Sequence, residues 1–151
     1  MSTTQFPSNR TLTLERTFNA PLPLVWEAWS QAEHIVNWWG PKGMDTRVVE
    51  HSFTEGGRWH YEMTLPDGRT FVAEGNYLEI EHHKKIVTSA NFKPMTENVV
   101  LHALFKQEGA ITHFTFHVVH ETEEHCKQQE AMGFYNGWAS TFDRLATLLE
   151  E

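Results

Sequence analysis

The strongest constraint on this chain is one change of hydrophobic period. Between Met44 and His120 apolar residues recur mostly at every second position, and after His120 at every third or fourth. Strands bury alternate residues, whereas a helix buries one stripe. Arg58 to Leu65 shows the first pattern. Trp59, Tyr61, Met63 and Leu65 share one face, and Arg58, His60, Glu62 and Thr64 take the other. Residues 123–149 show the second, with Trp138, Phe142, Leu145 and Leu149 in one stripe. A sheet with one apolar face must cover it. Only the segment from Glu123 to Leu149 is long enough, read as one helix of about 38 Å. The expected fold class is therefore α+β, a curved antiparallel sheet wrapped around a long C-terminal helix.

The remaining elements follow from local signals. Residues 1–9 read as a loose tail and 10–151 as one domain, an ordinary size for a single core. Arg10 to Phe18 alternates as a strand and stops at Asn19-Ala20-Pro21. A Pro-opened helix then runs to Ser30 on Leu22, Val25, Trp26 and Trp29, and a second short helix covers Gln31 to Trp38. Gly40-Pro41-Lys42-Gly43 ends it. Strands are expected at Met44–Phe53, Arg58–Leu65, Arg69–Ile80 and Lys84–Phe92, with a bulge near Gly75 and a loop at Lys93-Pro94-Met95. Pro66-Asp67-Gly68 is a hairpin turn. In the last hairpin, a turn at Glu108-Gly109 would pair Leu101 with Phe116 and Ala103 with Phe114, placing all four on one face.

Charge and motifs exclude several functions. Twelve Lys and Arg against 20 Asp and Glu leave a formal charge of −8. That balance opposes binding to nucleic acid or to an anionic membrane. The single cysteine, Cys126, forbids an internal disulfide. With no apolar run of membrane length and no apolar signal core, the expected location is cytoplasmic. Neither a G-x-S-x-G elbow nor a P-loop nor a G-x-G-x-x-G occurs. Ten His invite a metal, and His102 would lie diagonal to His113 and His117 on the last hairpin's outer face. No ligand-spaced His and carboxylate pattern supports one, so no metal and no cofactor are expected.

Six blocks in order carry a resemblance. They are Ala20-Pro21 with Val25-Trp26 and Ala28-Trp29; Glu33-His34; Trp38-Trp39-Gly40-Pro41; Gly56-Gly57-Arg58-Trp59; Pro66-Asp67-Gly68; and Met132-Gly133 with Gly137-Trp138, Phe142 and Leu145. Together, over residues 10–149, they resemble the family named for the activator of heat-shock-protein ATPase homologue. That family lies in the START-like superfamily with the helix-grip fold. The resemblance implies seven strands, two short helices after the first, and an apolar cavity between sheet and last helix. It also implies hydrophobic ligands such as lipids, sterols or polyketides, with some members acting as cyclases, aromatases or hydrolases.

Candidate ligand-binding residues are Trp59, Tyr61, Met63, Phe71, Phe114, Phe116 and Trp138, which should face the space between sheet and helix. The resemblance places Trp39 at the cavity mouth, where it would gate entry. Gly133 and Gly137, one helical turn apart, each cost a helix roughly 1 kcal/mol against Ala. Either close packing or room for a ligand would compensate. Arg58 is expected to bridge to Glu50 or Glu74, and Glu74 faces inward only if a bulge intervenes. Asp143 and Arg144 read as a solvated face, and Cys126 as an inert thiol. The expected function is binding of a hydrophobic, possibly aromatic, small molecule by a monomer or homodimer. An enzyme using Tyr61 and an inward Glu74 is the alternative, without an evident catalytic pair, and a protein-interaction module related to ATPase activation is the third.

Overall fold

Period-two segments pair into one sheet because each leaves its backbone hydrogen bonds unmade alone. The computed structural model describes residues 6–40, 43–93 and 96–150. The expected turn at 40–43 and loop at 93–95 thus fall partly outside the described residues. Within them lie the strands β1 (Thr11–Phe18), β2 (Asp45–His51), β3 (Arg58–Thr64), β4 (Thr70–Glu81), β5 (Lys85–Lys93), β6 (Thr96–Glu108) and β7 (Ile111–Val119). Every neighbouring pair is antiparallel, in the order β1-β7-β6-β5-β4-β3-β2. The helices are α1 (Leu22–Ser30), α2 (Ala32–Trp38), α3 (Glu123–Ala131) and α4 (Phe134–Leu149). None is long and apolar enough to cross a membrane.

Alternation decides the buried face. Trp59, Tyr61 and Met63 of β3, Ala73 and Tyr77 of β4, Leu101 and Ala103 of β6, and Phe114, Phe116 and Val118 of β7 are all buried. Their register slips between Val48 and Glu50, Tyr77 and Glu79, and Ala90 and Phe92. Such bulges bend a strand and raise its twist. The bulge expected near Gly75 lies instead at Leu78, which is turned out to 53% exposure. Gly75 has a different reason: a Cβ there would stand 1.9 Å from the Ser89 carbonyl oxygen and 3.0 Å from the Trp59 ring.

Three further expectations are corrected. The last hairpin turns at Gly109-Ala110, not Glu108-Gly109, so Leu101 pairs with Val118 and Ala103 with Phe116. A slip of two residues keeps every side chain on its face, so the shared-face argument could not separate these registers. His102 accordingly stands directly opposite His117, while His113 pairs with Lys106.

The second correction concerns the C-terminal helix. Residues 123–149 form two helices rather than one, broken at Gly133, whose φ of 101° suits only glycine without strain. Thr122 caps α3 by accepting from the His125 amide at 3.0 Å. α4, with 16 residues, is the helix that the sheet grips, and it is about 24 Å long.

The third correction concerns Arg144, which is not on a solvated face. It donates to the carbonyls of Gly40 at 2.8 Å and Asn37 at 3.2 Å, with those of Trp39 and Met44 at 3.4 and 3.5 Å. The carbonyls of Asn37, Trp39 and Gly40 lie at the C-terminal end of α2, where a cation also meets the helix dipole favourably. Its neighbour Asp143 pairs with Arg16 at 2.6 Å but is 69% exposed. Arg144→Ala should therefore lower stability by about 2 kcal/mol, through loss of charge-assisted bonds to partly buried carbonyls. Asp143→Ala should cost less than about 1 kcal/mol. Urea denaturation measures both, and equal losses would contradict the clamp.

Candidate functional site

With α4 starting at Phe134, its second turn carries Gly137 and Trp138 over the concave face of the sheet. The Trp138 ring meets Phe116 at 4.6 Å, Phe92 at 5.7 Å and Trp39 at 5.9 Å between centroids. Beside it lies a pocket of about 250 Å³. α4 supplies Phe134, Gly137, Trp138 and Thr141 to its wall, and the stretch before it supplies Gln129, Met132 and Gly133. The strands supply Met63, Phe71, Phe92, Val99 and Val118, with His120 just past β7, and Trp39, Gly40 and Met44 close the side near α2. None of these residues is charged. A Cβ added at Gly137 would meet no atom within 4 Å, so the missing side chain leaves room rather than allowing close packing.

The pocket thus gathers Trp39, Met63, Phe71, Gly133, Gly137 and Trp138 from the expected residues. Trp59, Tyr61 and Phe116 border a separate inner void of about 20 Å³, and Trp39 is common to both. That void has room for about one water molecule and none for an organic ligand. Phe114 borders neither and packs in the solid core against Phe142 at 5.0 Å and Phe105 at 5.3 Å. Trp39 is 5% exposed and lies between pocket and void, a floor rather than a gate. The wall further includes Gly40, Met44, Phe92, Val99, Val118, His120, Gln129, Met132, Phe134 and Thr141, which the sequence reading did not single out as ligand-binding. Val99 and Val118 were legible, since they alternate in phase with Leu101 and Phe116. Met132 and Phe134 become legible only once the helix is broken at Gly133.

Most polar groups under the sheet are already paired, the buried Trp29 Nε1–H being an exception. His51 Nε2–H donates to the Ser30 carbonyl at 2.8 Å, so Nδ1 accepts from the Tyr61 hydroxyl at 2.8 Å. Burial, together with its neighbour Tyr77, pushes the Tyr61 phenol far above its ordinary value. Trp59 Nε1–H donates to Thr88 Oγ1 at 2.7 Å. Glu74 lies on the other face of the sheet, bonded to Lys93 at 2.9 Å and Arg58 at 3.1 Å, and Arg58 also reaches Glu50 at 3.6 Å. Lys93 foremost holds the Glu74 carboxyl below its usual range. The inward Glu74 that the enzyme reading needed is therefore not there. The Cys126 thiol is buried and pushed up by burial and by Glu130 and Glu123.

Over residues 19–150 the chain matches the family described as Activator of Hsp90 ATPase homolog 1-like protein. No curated protein matches it. Several solved structures do. One, from Nitrosomonas europaea, is 27% identical with a TM-score of 0.84, covering 96% of this chain and 97% of that one. Another, from Mycobacterium smegmatis, is 22% identical with a TM-score of 0.85, covering 99% and 97%. The AHSA1-like protein from Aeromonas hydrophila is 20% identical with a TM-score of 0.75, covering 93% and 92%.

Burial depresses the imidazoles of His51, His102, His117 and His120 below their ordinary value. The unfolded chain binds protons there that the folded chain refuses, so their stabilising share is complete above about pH 6.5 and is lost as pH falls below it. Unfolding free energy should therefore drop between pH 7 and pH 5, before the carboxylates titrate. Denaturation midpoints across that range check this, and a flat profile would contradict it.

Proposed function

Because the chain belongs to the Activator of Hsp90 ATPase homolog 1-like family, with its α4 gripped by a curved sheet, we propose that it binds an apolar small molecule between the two. The observation that carries this reading is the pocket of about 250 Å³, uncharged among the described residues and kept open where Gly137 has no side chain. Alanine at that position would favour the helix by about 1 kcal/mol and would touch nothing. A chain shaped for stability alone would fill the space, since interiors pack closely. Concave, mostly apolar pockets with few polar groups are the usual form of small-molecule sites. Binding rather than turnover is supported by the placement of the two suspected catalytic groups. The Tyr61 hydroxyl is spent on His51, and Glu74 faces away from the pocket.

Naphthalene serves as a neutral apolar probe. The wild-type protein should bind it with measurable affinity in a fluorescence titration. Gly137→Leu should weaken that binding at least about tenfold, because the new side chain occupies the pocket. Trp59→Phe, at the inner void, should leave it within about twofold. No binding by the wild type, or equal binding by all three, would defeat the proposal.

A further inference from the structure

Two walls of the pocket are joined by one side chain that lies behind them rather than in them. α4 supplies Gly137, Trp138 and Thr141 to the first wall, and Trp39, Gly40 and Met44 form part of the second. The second wall belongs to no helix or strand: Trp39 and Gly40 follow the end of α2, and Met44 precedes β2. Its carbonyls therefore need partners from outside the segment. Arg144, two turns past Gly137 on α4, supplies them. Its Nη1 donates to the Gly40 carbonyl at 2.8 Å, with those of Trp39 at 3.4 Å and Met44 at 3.5 Å, and Nη2 donates to the Asn37 carbonyl at 3.2 Å. Three of these four carbonyls belong to residues that line the pocket, whereas Arg144 itself does not line it.

The second wall also carries its neighbours with it. The Trp39 ring packs on Tyr61 at 5.2 Å, Trp59 at 5.5 Å and Trp138 at 5.9 Å. The Thr46 hydroxyl donates to the Trp39 carbonyl. A Cβ at Gly40 would stand 3.2 Å from the sulfur of Met63, which also lines the pocket. A shift of this wall would therefore disturb the pocket at several points at once. A planar guanidinium presents its donors in a fixed fork and can hold several carbonyls together, which a single ammonium does less well. We propose that Arg144 is a positioning residue for ligand binding: its guanidinium fixes the distance between α4 and the wall of Trp39, Gly40 and Met44 before a ligand arrives. The inference rests on the reading that this pocket binds an apolar molecule. A wall held in place in the free protein needs no ordering on binding, and affinity is higher for it.

The test is fluorescence titration with naphthalene, at a temperature where circular dichroism shows each variant folded, so that lost stability does not enter the affinity. Arg144→Ala should weaken naphthalene binding about tenfold. Ethylguanidinium at millimolar concentration should recover at least about threefold of that loss by filling the emptied place. Ethylammonium, with the charge but without the fork, should not. Arg144→Lys keeps the charge and should weaken binding about threefold or more, which serves should Arg144→Ala not fold. Asp143→Ala, on the same helical turn, should stay within about twofold. Wild-type affinity in folded Arg144→Ala or Arg144→Lys would overturn the inference and leave the binding reading intact. The same holds for a loss that ethylguanidinium does not relieve, for one that ethylammonium relieves equally, and for an equal loss in Asp143→Ala. Absence of naphthalene binding by the wild type would defeat the binding reading, and this inference with it.

Discussion

The apolar face of the sheet has to be covered, and where its cover begins is set by one backbone angle. Gly133 at φ 101° ends α3 and opens α4. A continuous helix from Glu123 would carry the acidic, weakly apolar α3 along the same axis, although Cys126 is its one buried residue. The break lets α3 leave the axis and gives α4, with Phe142 and Leu145 fully buried, the concave face to itself. Everything at the site follows from that start. Gly137 and Trp138 come over the strands on the second turn, and Arg144 reaches the end of α2 two turns later.

The space under α4 is consequently divided. Towards α1 and α2 it is filled but for the void of about 20 Å³: Trp29, Trp38, Phe114, Phe116 and Phe142 are in ring contact, and Trp38 Nε1–H donates to the Ala28 carbonyl at 2.9 Å. The indole, phenol and imidazole groups of Trp59, Tyr61 and His51 also have partners, which fixes their rotamers as well as satisfying them. Towards α3 it is hollow. Trp39 stands between the halves, touching Trp59 and Tyr61 on one side and Trp138 on the other. A rigid floor of this kind lets a pocket be preformed, so that little ordering cost falls on binding.

Strand positions and faces were legible in the sequence because burial with period two leaves a mark at every residue. The alternation along Arg58–Thr64 assigns Trp59, Tyr61 and Met63 to the interior, and the fold agrees. The hairpin register was not legible, because two registers differing by two residues obey the same pattern. Arg144 was not legible either. Its partners are main-chain carbonyls about a hundred residues away, and a carbonyl has no letter of its own. Gly133 could have been found: Gly after a polar helical run is a helix-stop signal, and the apolar stripe begins only past it. Taking both glycines as helix interior hid the break while correctly marking the place where side chains are missing.

Apolar shape alone would make the pocket tolerant, since hydrophobic contact has no direction. Direction comes from the few polar atoms, and those are committed before any ligand arrives. His120 ties the strand end after β7 to Arg10, whose guanidinium returns a 2.7 Å bond to the His120 carbonyl. Arg10, ahead of β1, is therefore tied to both the main chain and the imidazole of His120. Thr141 is likewise anchored to its own helix. A polar group positioned by structural bonds cannot turn to suit an incoming molecule, so it constrains what the pocket can hold. The contacts that close the fold at its first strand thus also set the chemistry of the wall that faces the pocket.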